Sequence, residues 1–377
     1  MKHYGDIRTL NGKDLPPVSC ITGGSPCQNL SIAGNRTGLD GEQSRLFLEQ
    51  IRIVKEMRQA TNDKFPRFMV WENVPGAFSS NKGEDFRTVL NEIVGISEEH
   101  YPDVPKPSKG WTKSGCLYNE VGSWSVAWRL HDAQFWGVPQ RRKRIALVAD
   151  FRGRTAPEIL FEPKSLSWDI NKSEEKRESA AEEVGKCFGS ASTVSNVVFD
   201  ARGNGSGSVI PTITGDHQNR ITDYTAICVG NGQLNQFLMS EKLGALNTMH
   251  DQQAVLQNDV VRRLTPLECE RAQGFPDRWT DVGDWVDHRG RVRKSSDTAR
   301  YKALGNSIAT PFWMWLLGRI SDQCELPATL GSLFDGIGGF PYCWELHNGP
   351  GSAVWASEIE EFPIAVTKKR FPEQDNT

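Results

Sequence analysis

The sequence predicts an α/β protein with a largely parallel sheet and a second, smaller, loop-rich domain. Short apolar strands alternate with segments of helical period over residues 18–96, and this order favours a parallel sheet. A strand, a glycine loop and another strand succeed one another between residues 330 and 358. From about residue 193, short apolar pieces alternate with Gly, Asn and Asp turns, a pattern typical of a small inserted domain.

The first predicted strand leads into a loop that carries a thiol. Residues 18–21 are apolar, and two glycines and a proline then end regular structure just before Cys27. Residues 29–43 are rich in Gly, Asn, Ser and Asp, which predicts a mobile loop. Residues 46–57 carry apolar side chains at helical spacing and predict the first helix.

The second predicted strand ends in an acidic residue. Residues 67–71 form a compact apolar run that is followed by Glu72, and residues 86–96 predict a helix. The stretch 97–118 is rich in Pro, Lys and Gly and predicts a loop. Two more strands are predicted at residues 126–130 and 144–149.

A helix, a basic run and an apolar helix are predicted after the loop-rich region. Thr265 is a good N-cap, Pro266 suits a first helical turn and Gly274 suits a C-terminal stop, so a helix is expected within 262–275. Residues 287–302 concentrate His, Arg and Lys side chains that suit phosphate contacts or an ordinary exposed loop. The last helix of this part is expected at residues 313–320.

Composition places the chain among globular proteins that work in a reducing compartment. Of its 377 residues, 38% are hydrophobic and 24% charged, and no apolar run reaches membrane-spanning length. The N-terminus lacks the apolar core of a signal peptide, so a cytoplasmic protein with reduced thiols is expected. Its eight cysteines form no CxxC pair, and no metal site is predicted. Net charge is −3, so a nucleic-acid surface has to be a local patch.

The glycine loop near the C-terminus has the features of a nucleotide-like binding site. The run FDGIGG at residues 334–339 follows a predicted strand and precedes a predicted helix. Glu358 ends the next strand, 19 residues after Gly339, where an acid can bind ribose hydroxyls. The glycine spacing departs from GxGxxG, which argues against a dinucleotide. A plain tight turn is the alternative.

Cys27 and Glu72 follow neighbouring strands, and the carboxyl ends of parallel strands share one edge of a sheet. Their side chains are therefore expected to converge there, although an inert buried cysteine and a helix-capping acid would also fit. Arg142 and Arg144, spaced by two, point the same way if that segment is extended, and a solvated charge run is the alternative.

Together these motifs resemble the DNA (cytosine-5)-methyltransferases. The matching residues span nearly the whole chain outside the loop-rich region: Phe334 to Gly339, Glu358, Asp6, GSPCQ at 24–28, ENV at 72–74, QRRKR at 140–144, RLTPLE at 263–268, QGFP at 273–276 and LGNSI at 304–308. The order differs from the family, because the cofactor loop closes the chain instead of opening it. The sequence is therefore interpreted as a circular permutation, with residues 371–373 adjoining residues 1–6 and the nine residues 321–329 forming the new connection.

The resemblance implies a Rossmann-like class I S-adenosylmethionine-dependent methyltransferase sheet with a smaller target-recognition domain. The implied segments are a first catalytic segment at 1–185, target recognition at 186–300 and a second catalytic segment at 301–377. The implied cofactor is S-adenosylmethionine, with contacts from Phe334, Asp335, Gly336, Gly338, Gly339, Glu358, Ile359, Asp6, Pro26 and Asn306. The family often has an aromatic residue at the position of Ile359. The isoleucine is expected to give the adenine an apolar contact without full stacking.

The resemblance also implies the chemistry. Cys27 attacks C6 of a flipped-out cytosine while Glu72 protonates N3, so that C5 becomes the nucleophile that accepts the methyl group. Arg144 is expected to position Glu72, and Arg142 to contact the base O2. Implied contacts to double-stranded DNA come from Gln28, Ser31, Arg45 and Arg263.

The implied setting is a monomer in a bacterial or phage-infected cell, with a companion restriction endonuclease as a possible partner. Two other functions stay open at this point. One is methylation of tRNA, against which the sizeable insert argues. The other is a catalytically silent DNA-binding homologue, against which Cys27, Glu72 and Arg144 argue.

Overall fold

The structure is a computed structural model, and it describes residues 1–25, 46–161 and 264–373 together with the backbone of five strands between residues 196 and 263. The strands, in chain order, are β1 (Lys2–Tyr4), β2 (Cys20–Gly23), β3 (Phe68–Asn73), β4 (Ser114–Tyr118), β5 (Ser125–Asp132), β6 (Gln140–Arg141), β7 (Lys143–Asp150), β8 (Asn196–Asp200), β9 (Ile210–Pro211), β10 (Thr225–Val229), β11 (Ala254–Gln257), β12 (Val260–Arg263), β13 (Trp285–Val286), β14 (Val292–Arg293), β15 (Leu330–Leu333) and β16 (Ala353–Ser357). The α-helices are α1 (Leu46–Ala60), α2 (Glu84–Val94), α3 (Thr155–Leu160), α4 (Pro266–Ala272), α5 (Asp297–Asn306), α6 (Thr310–Ser321), α7 (Gly339–Asn348) and α8 (Glu361–Arg370).

The chain divides into two compact units. The first contains residues 1–131, 143–166 and 313–377, and the second contains residues 132–142 and 167–312. Within the three described side-chain ranges, none of the helices combines the length and apolar character that crossing a bilayer requires.

The first unit is built on a mixed eight-stranded sheet in the order β1-β16-β15-β2-β3-β7-β5-β4. Five neighbouring strands of this sheet, β1-β16-β15-β2-β3, pair in parallel, as the alternation of strands and helices predicts. The predicted Rossmann-like α/β sheet is therefore present. Two features differ from prediction, because β7 runs antiparallel to β3 and the expected loop 97–118 contains the edge strand β4.

The edge strand β4 has no clear signature in the sequence. β4 and β5 form a hairpin, and this reversal of the chain has no signature in the strand and helix patterns. The residues of β4 are alternately exposed and half-buried, with Cys116 and Tyr118 exposed. Such an edge strand lacks the apolar run by which a buried strand is recognised.

The core of the first unit packs helices against the middle of this sheet. Trp71 of β3 is fully buried, and the rings of Phe47 from α1 and Phe86 from α2 lie 5.6 and 6.3 Å from it. The apolar stripe of α1 faces this core, which explains why its helical period is visible in the sequence. These contacts hold the end of β3 in place.

The last two strands of the chain lie between its first two. β15 pairs with β2 on one side and with β16 on the other, and β16 pairs with β1. The amino group of Met1 lies 3.4 Å from the carbonyl oxygen of Phe371 and 3.3 Å from that of Pro372. The first and last described segments of the chain are thus adjacent.

The second unit contains a four-stranded sheet in the order β12-β11-β10-β8 and a helical part around α4 and α5. Thr265 forms a complete capping box with Glu268 at the start of α4, as its sequence signature predicts. Glu270 is buried and accepts hydrogen bonds from Arg300 (3.1 Å) and from the backbone and hydroxyl of Thr280. Arg300, one of the cations in the basic run, is therefore already paired, and its side chain is 14% exposed.

Candidate active site

The carboxyl ends of four parallel strands meet at one edge of the first unit. Leu333 of β15 is level with Gly23 of β2 and with Ser357 of β16, and Gly23 is level with Trp71 of β3. The next residue along each strand is therefore at this edge. These residues are Gly24, Glu72, Phe334 and Glu358.

Glu72 and Arg144 form an ion pair at this edge. The Oε1 atom of Glu72 lies 2.8 Å from Nε of Arg144, and each side chain retains 13% exposure. The antiparallel direction of β7 brings its first residues, including Arg144, opposite the end of β3. A Cβ atom at Gly24 would lie only 3.0 Å from Oε2 of Glu72, so a glycine at this position leaves that oxygen room.

A second contact fixes the chain just beyond Gly24. Ser25 is buried, and its hydroxyl accepts a hydrogen bond of 3.1 Å from Nε1 of Trp71. The amide of Asn73 lies 3.4 Å from the carbonyl and hydroxyl oxygens of Ser25. Each such bond contributes about 1 kcal/mol net, and a buried indole N–H without an acceptor costs about 1–3 kcal/mol. Sequence analysis did not identify this network; a serine and a tryptophan at neighbouring strand ends were its only signal.

Several predicted site residues lie outside the described residues. They are Pro26, Cys27, Gln28, Ser31 and Arg45. Arg263 ends strand β12, of which the backbone alone is described. The assignments of these residues stay predictions.

Arg142 has a different environment from the one its spacing suggests. It is 2% exposed, and its Nη2 donates to the carbonyl oxygens of Gly305 (3.1 Å) and Ser307. The backbone N–H of Arg142 bonds to the carbonyl of Gln140 at 3.0 Å, so the chain turns here instead of extending. The expected parallel orientation with Arg144 therefore does not hold, and Arg142 fixes the backbone on both sides of Asn306 instead of presenting an exposed guanidinium.

The glycine loop adopts backbone conformations that favour glycine. Phe334, Gly336 and Gly338 have φ values of +54°, +57° and +79°. A Cβ at Gly338 would lie 2.6 Å from the ring of Phe371, whereas a Cβ at Gly336 has no atom within 4 Å. The left-handed φ of Phe334 is rare for a residue other than glycine and is typical of functional loops. The loop thus packs closely on one side and leaves open space at Gly336.

Glu358 is tied to this loop. Its Oε2 accepts a 2.8 Å hydrogen bond from the backbone N–H of Gly336, and its Oε1 accepts from the N–H groups of Ile359 and Glu360 at 2.7 and 2.9 Å. Ile359 itself is 62% exposed, as suits an apolar contact for a ligand. The carboxylate is therefore fixed in direction next to the open space at Gly336.

Asp335 is a buried carboxyl with one bonded oxygen. Its Oδ1 accepts a 2.6 Å hydrogen bond from the hydroxyl of Ser332, and its Oδ2 has no partner in the part of the chain that is described. Burial, with a smaller contribution from the nearby Glu358, raises the pKa of Asp335 to about 8, although the hydrogen bond from Ser332 opposes this shift. The partnership with Ser332 was missed in the sequence, although a serine three residues before the acid is its signal.

Asp6 lies close to this edge but already has a partner. It caps the turn Ile7–Thr9, and its Oδ2 lies 2.5 Å from Nη2 of Arg8. The hydrogen bond from Arg8 lowers the pKa of this carboxyl. The strand ends around it are joined by a 2.7 Å bond from the hydroxyl of Ser357 to the carbonyl of Gly5. Asp6 thus remains ionised, and both of its carboxyl oxygens accept hydrogen bonds from Arg8.

These features suit a ligand that has hydroxyl groups and a positive charge. An orphaned buried oxygen, a fixed carboxylate and an open glycine are grouped within one βαβ unit. Gly339 begins helix α7 directly after the loop. Asn306 ends helix α5 of the second unit and is exposed, and its assignment to the ligand stays a prediction.

Comparison with known proteins identifies one family and several related methyltransferases. The family model described as C-5 cytosine-specific DNA methylase matches residues 1–97 and 117–322. A protein of Escherichia phage P1 named DNA N-6-adenine-methyltransferase is 29% identical over 419 residues, covering 85% of this chain and 55% of that protein. Type II methyltransferase M1.ScrFI of Lactococcus lactis subsp. cremoris is 28% identical over 313 residues, covering 82% of this chain and 63% of its own.

The chain thus spans 55% and 63% of the lengths of these two relatives. Among solved structures, the Dnmt2 methyltransferase of S. pombe is similar with a TM-score of 0.45 and 17% identity, covering 84% of this chain and 83% of that one.

Proposed function

Because the chain belongs to the C-5 cytosine-specific DNA methylase family, we propose that it methylates C5 of cytosine in double-stranded DNA. The observation that carries this proposal is the pairing of Glu72 with Arg144 at 2.8 Å beside Gly24 and Ser25. Ser25 is two residues before Cys27 in the run GSPCQ, so the bonds from Trp71 and Asn73 anchor the backbone that leads to the thiol.

The family uses S-adenosylmethionine, which supplies an electrophilic methyl group when bound. We propose that this chain holds it with the βαβ unit of β15, α7 and β16, which lies in the second catalytic segment. Glu358 would accept hydrogen bonds from the ribose, and Phe334 and Ile359 would pack against the adenine, whose amino group would donate to Asp6. The open space at Gly336 and the orphaned oxygen of Asp335 support this assignment.

The proposed chemistry begins at the cytosine ring, where C5 is a poor nucleophile. The thiolate of Cys27 adds to C6 while Glu72 donates a proton to N3, so the ring gains electron density at C5 without a full negative charge. Arg144 holds the Glu72 carboxyl in the direction of the base. After the methyl group is transferred to C5, a base removes the C5 proton and the bond between Cys27 and C6 breaks, which restores the thiolate, while N3 returns its proton to Glu72.

The DNA contacts and the domain limits are also proposals. The target base must leave the stack to reach Cys27. Residues 186–300 are proposed to recognise the target sequence, between catalytic segments at 1–185 and 301–377. Gln28, Ser31, Arg45 and Arg263 are proposed DNA contacts, and a companion restriction endonuclease is a proposed partner, in line with type II relatives such as M1.ScrFI.

Nucleoside analysis of methylated DNA tests the proposed function. Plasmid DNA treated with the protein and S-adenosylmethionine is expected to gain 5-methylcytosine, and bisulfite sequencing then identifies the site. Cys27→Ser is expected to abolish this product, with Cys116→Ser as a control because Cys116 is exposed on strand β4. N6-methyladenine in the DNA, or 5-methylcytosine only in tRNA, would contradict the proposal.

We also propose that the chain is a circular permutation of the family's element order. Support comes from the sheet, where β15 and β16 lie between β1 and β2, and from the 3.3 Å distance between the Met1 amino group and the Pro372 carbonyl. The family model also stops at residue 322, before β15 begins.

A rearranged chain tests the permutation. If residue 373 is joined to Met1 through a few glycines and the chain is opened at Glu325, the new protein is expected to fold and to keep its methylation activity. Urea denaturation should give an unfolding free energy within about 2 kcal/mol of the parent, because cutting and joining exposed connections changes few contacts. If the rearranged chain fails to fold, while the parent chain with the same glycines inserted at Glu325 does fold, this result would argue against the permutation.

A further inference from the structure

A short hairpin in the second unit concentrates exposed cations. Strands β13 and β14 pair in antiparallel fashion, with Val286 opposite Val292. Arg289, Arg291 and Arg293 lie on or beside the turn and are exposed. The hairpin precedes helix α5, whose N-cap is Ser296. This feature belongs to no part of the proposed catalytic or cofactor site.

One buried carboxylate organises these cations. Asp287 has a side chain with 0% exposure, and its Oδ1 accepts 2.9 Å hydrogen bonds from the backbone N–H groups of Arg289 and Arg291. Its Oδ2 lies 2.8 Å from Nε of Arg291 and 2.9 Å from Nε of Arg293. These hydrogen bonds lower the pKa of Asp287, so it stays ionised. The guanidinium groups of Arg291 and Arg293 are therefore both held through Nε, and these side chains remain 51% and 46% exposed.

The balance of charge and shape points to a polyanion. Residues 284–294 contain four cationic side chains, Arg289, Arg291, Arg293 and Lys294, against the carboxylates of Asp284 and Asp287. Two exposed arginines that share one buried carboxylate retain a net positive charge between them. Arg300, by contrast, is bonded to Glu270 and Thr280, and its side chain is only 14% exposed.

The hairpin also exposes apolar surface next to the cations. Val286 and Val292 are 62% and 69% exposed, although they face each other across the hairpin. A free phosphate ion would gain nothing from this surface, whereas the sugar units between successive phosphates of a nucleic-acid strand offer apolar atoms to pack against it. The combination of oriented guanidinium groups and exposed valines fits a phosphodiester backbone.

We propose that the hairpin of residues 285–293 binds the phosphate backbone of duplex DNA without reading its sequence. The choice of DNA rests on the proposed function, and the contact itself follows from the hairpin. Arg291 and Arg293 neutralise phosphates, and the exposed valines pack beside the sugars. This contact adds affinity and orients the second unit on the duplex.

Salt-dependent binding tests the proposal without a methylation readout. Fluorescence anisotropy of a labelled duplex of arbitrary sequence gives the slope of log affinity against log salt concentration for the full chain. The double variant R291Q/R293Q is expected to reduce the magnitude of this negative slope by about 1.8, which is about 0.9 for each of two phosphates. The ratio of parent to variant affinity then changes about tenfold between 50 and 200 mM salt.

A matched variant separates this contact from net charge. K55Q/R152Q also removes two cations, whose side chains are 46% and 41% exposed and paired with Glu92 and Glu325 in the first unit. It is expected to leave the slope near that of the parent. The proposal would be overturned if both double variants reduced the magnitude of the salt slope equally, or if R291Q/R293Q did not reduce it.

The variant D287N tests the organising role of the carboxylate. It raises the positive charge of the hairpin, so simple attraction predicts tighter binding. The hairpin proposal predicts a weaker affinity, because Arg291 and Arg293 lose their shared anchor; tighter binding overturns it. A slope change seen with duplex RNA but absent with duplex DNA also overturns it. Hairpin-dependent DNA binding by a chain that makes no 5-methylcytosine would contradict the proposed function alone.

Discussion

Replacing Glu72 by Gln is expected to lower turnover of cytosine methylation by about 10²–10⁴-fold, the contribution typical of one positioned general acid. Glutamine keeps the shape of the side chain and can still accept from Nε of Arg144, which lies 2.8 Å from Oε1 in the parent. It cannot protonate N3 of the base. Turnover measured with tritiated S-adenosylmethionine at saturating DNA reports the effect.

A folding measurement separates chemistry from structure in this variant. A charged hydrogen bond becomes a neutral one, so the unfolding free energy is expected to fall by about 1 kcal/mol. Glu84→Gln is the matched control, because Glu84 pairs with Arg87 on helix α2 at 3.3 Å, in a pair that is more exposed. Unchanged turnover in Glu72→Gln would remove Glu72 from the catalytic role, whatever its effect on stability.

The position of Glu72 at the edge of the sheet was predictable from sequence because it depends on local rules, whereas Arg144 reaches it only because β7 runs antiparallel to β3. A compact apolar run predicts β3, and the residue that follows a strand lies at the edge of the sheet. Likewise, Thr265 and Pro266 give the start of α4 because capping chemistry is contained within a few residues. Such features do not depend on the direction in which the chain later returns.

Contacts that depend on the return of the chain could not be predicted. The turn between Gln140 and Arg142 redirects a guanidinium that alternate spacing assigns to the same face as Arg144. β7 pairs antiparallel with β3, and β4 pairs antiparallel with β5, and neither pairing has a signature in the strand patterns. Burial of Asp335 is likewise a property of the packed βαβ unit, since the sequence around it is that of a glycine loop.

Burial of Asp335 leads to a stability that depends on pH. Its pKa is about 8 in the folded protein and 3.8 as the ordinary value, so between these limits the folded state holds a proton that the unfolded state has released. Stability contributed by this group is full below about pH 4 and falls as pH rises towards 8. The difference of roughly four pH units, at about 1.4 kcal/mol each, corresponds to at most about 6 kcal/mol.

Asp335→Asn is expected to remove this dependence, because the amide keeps an acceptor for the hydroxyl of Ser332 and does not ionise. At pH 4 the two proteins should differ little, whereas at pH 8 the variant should be the more stable by several kcal/mol. Urea denaturation of both proteins from pH 4 to pH 8 measures the difference between their unfolding free energies. The contributions of the other titrating groups are the same in both proteins and cancel in this difference. His3, whose pKa burial lowers to about 4, is such a group and acts with the opposite sign. Parallel stability profiles for the two proteins would show that Asp335 is ionised throughout, and the site would then present two carboxylates, Asp335 and Glu358, to its ligand.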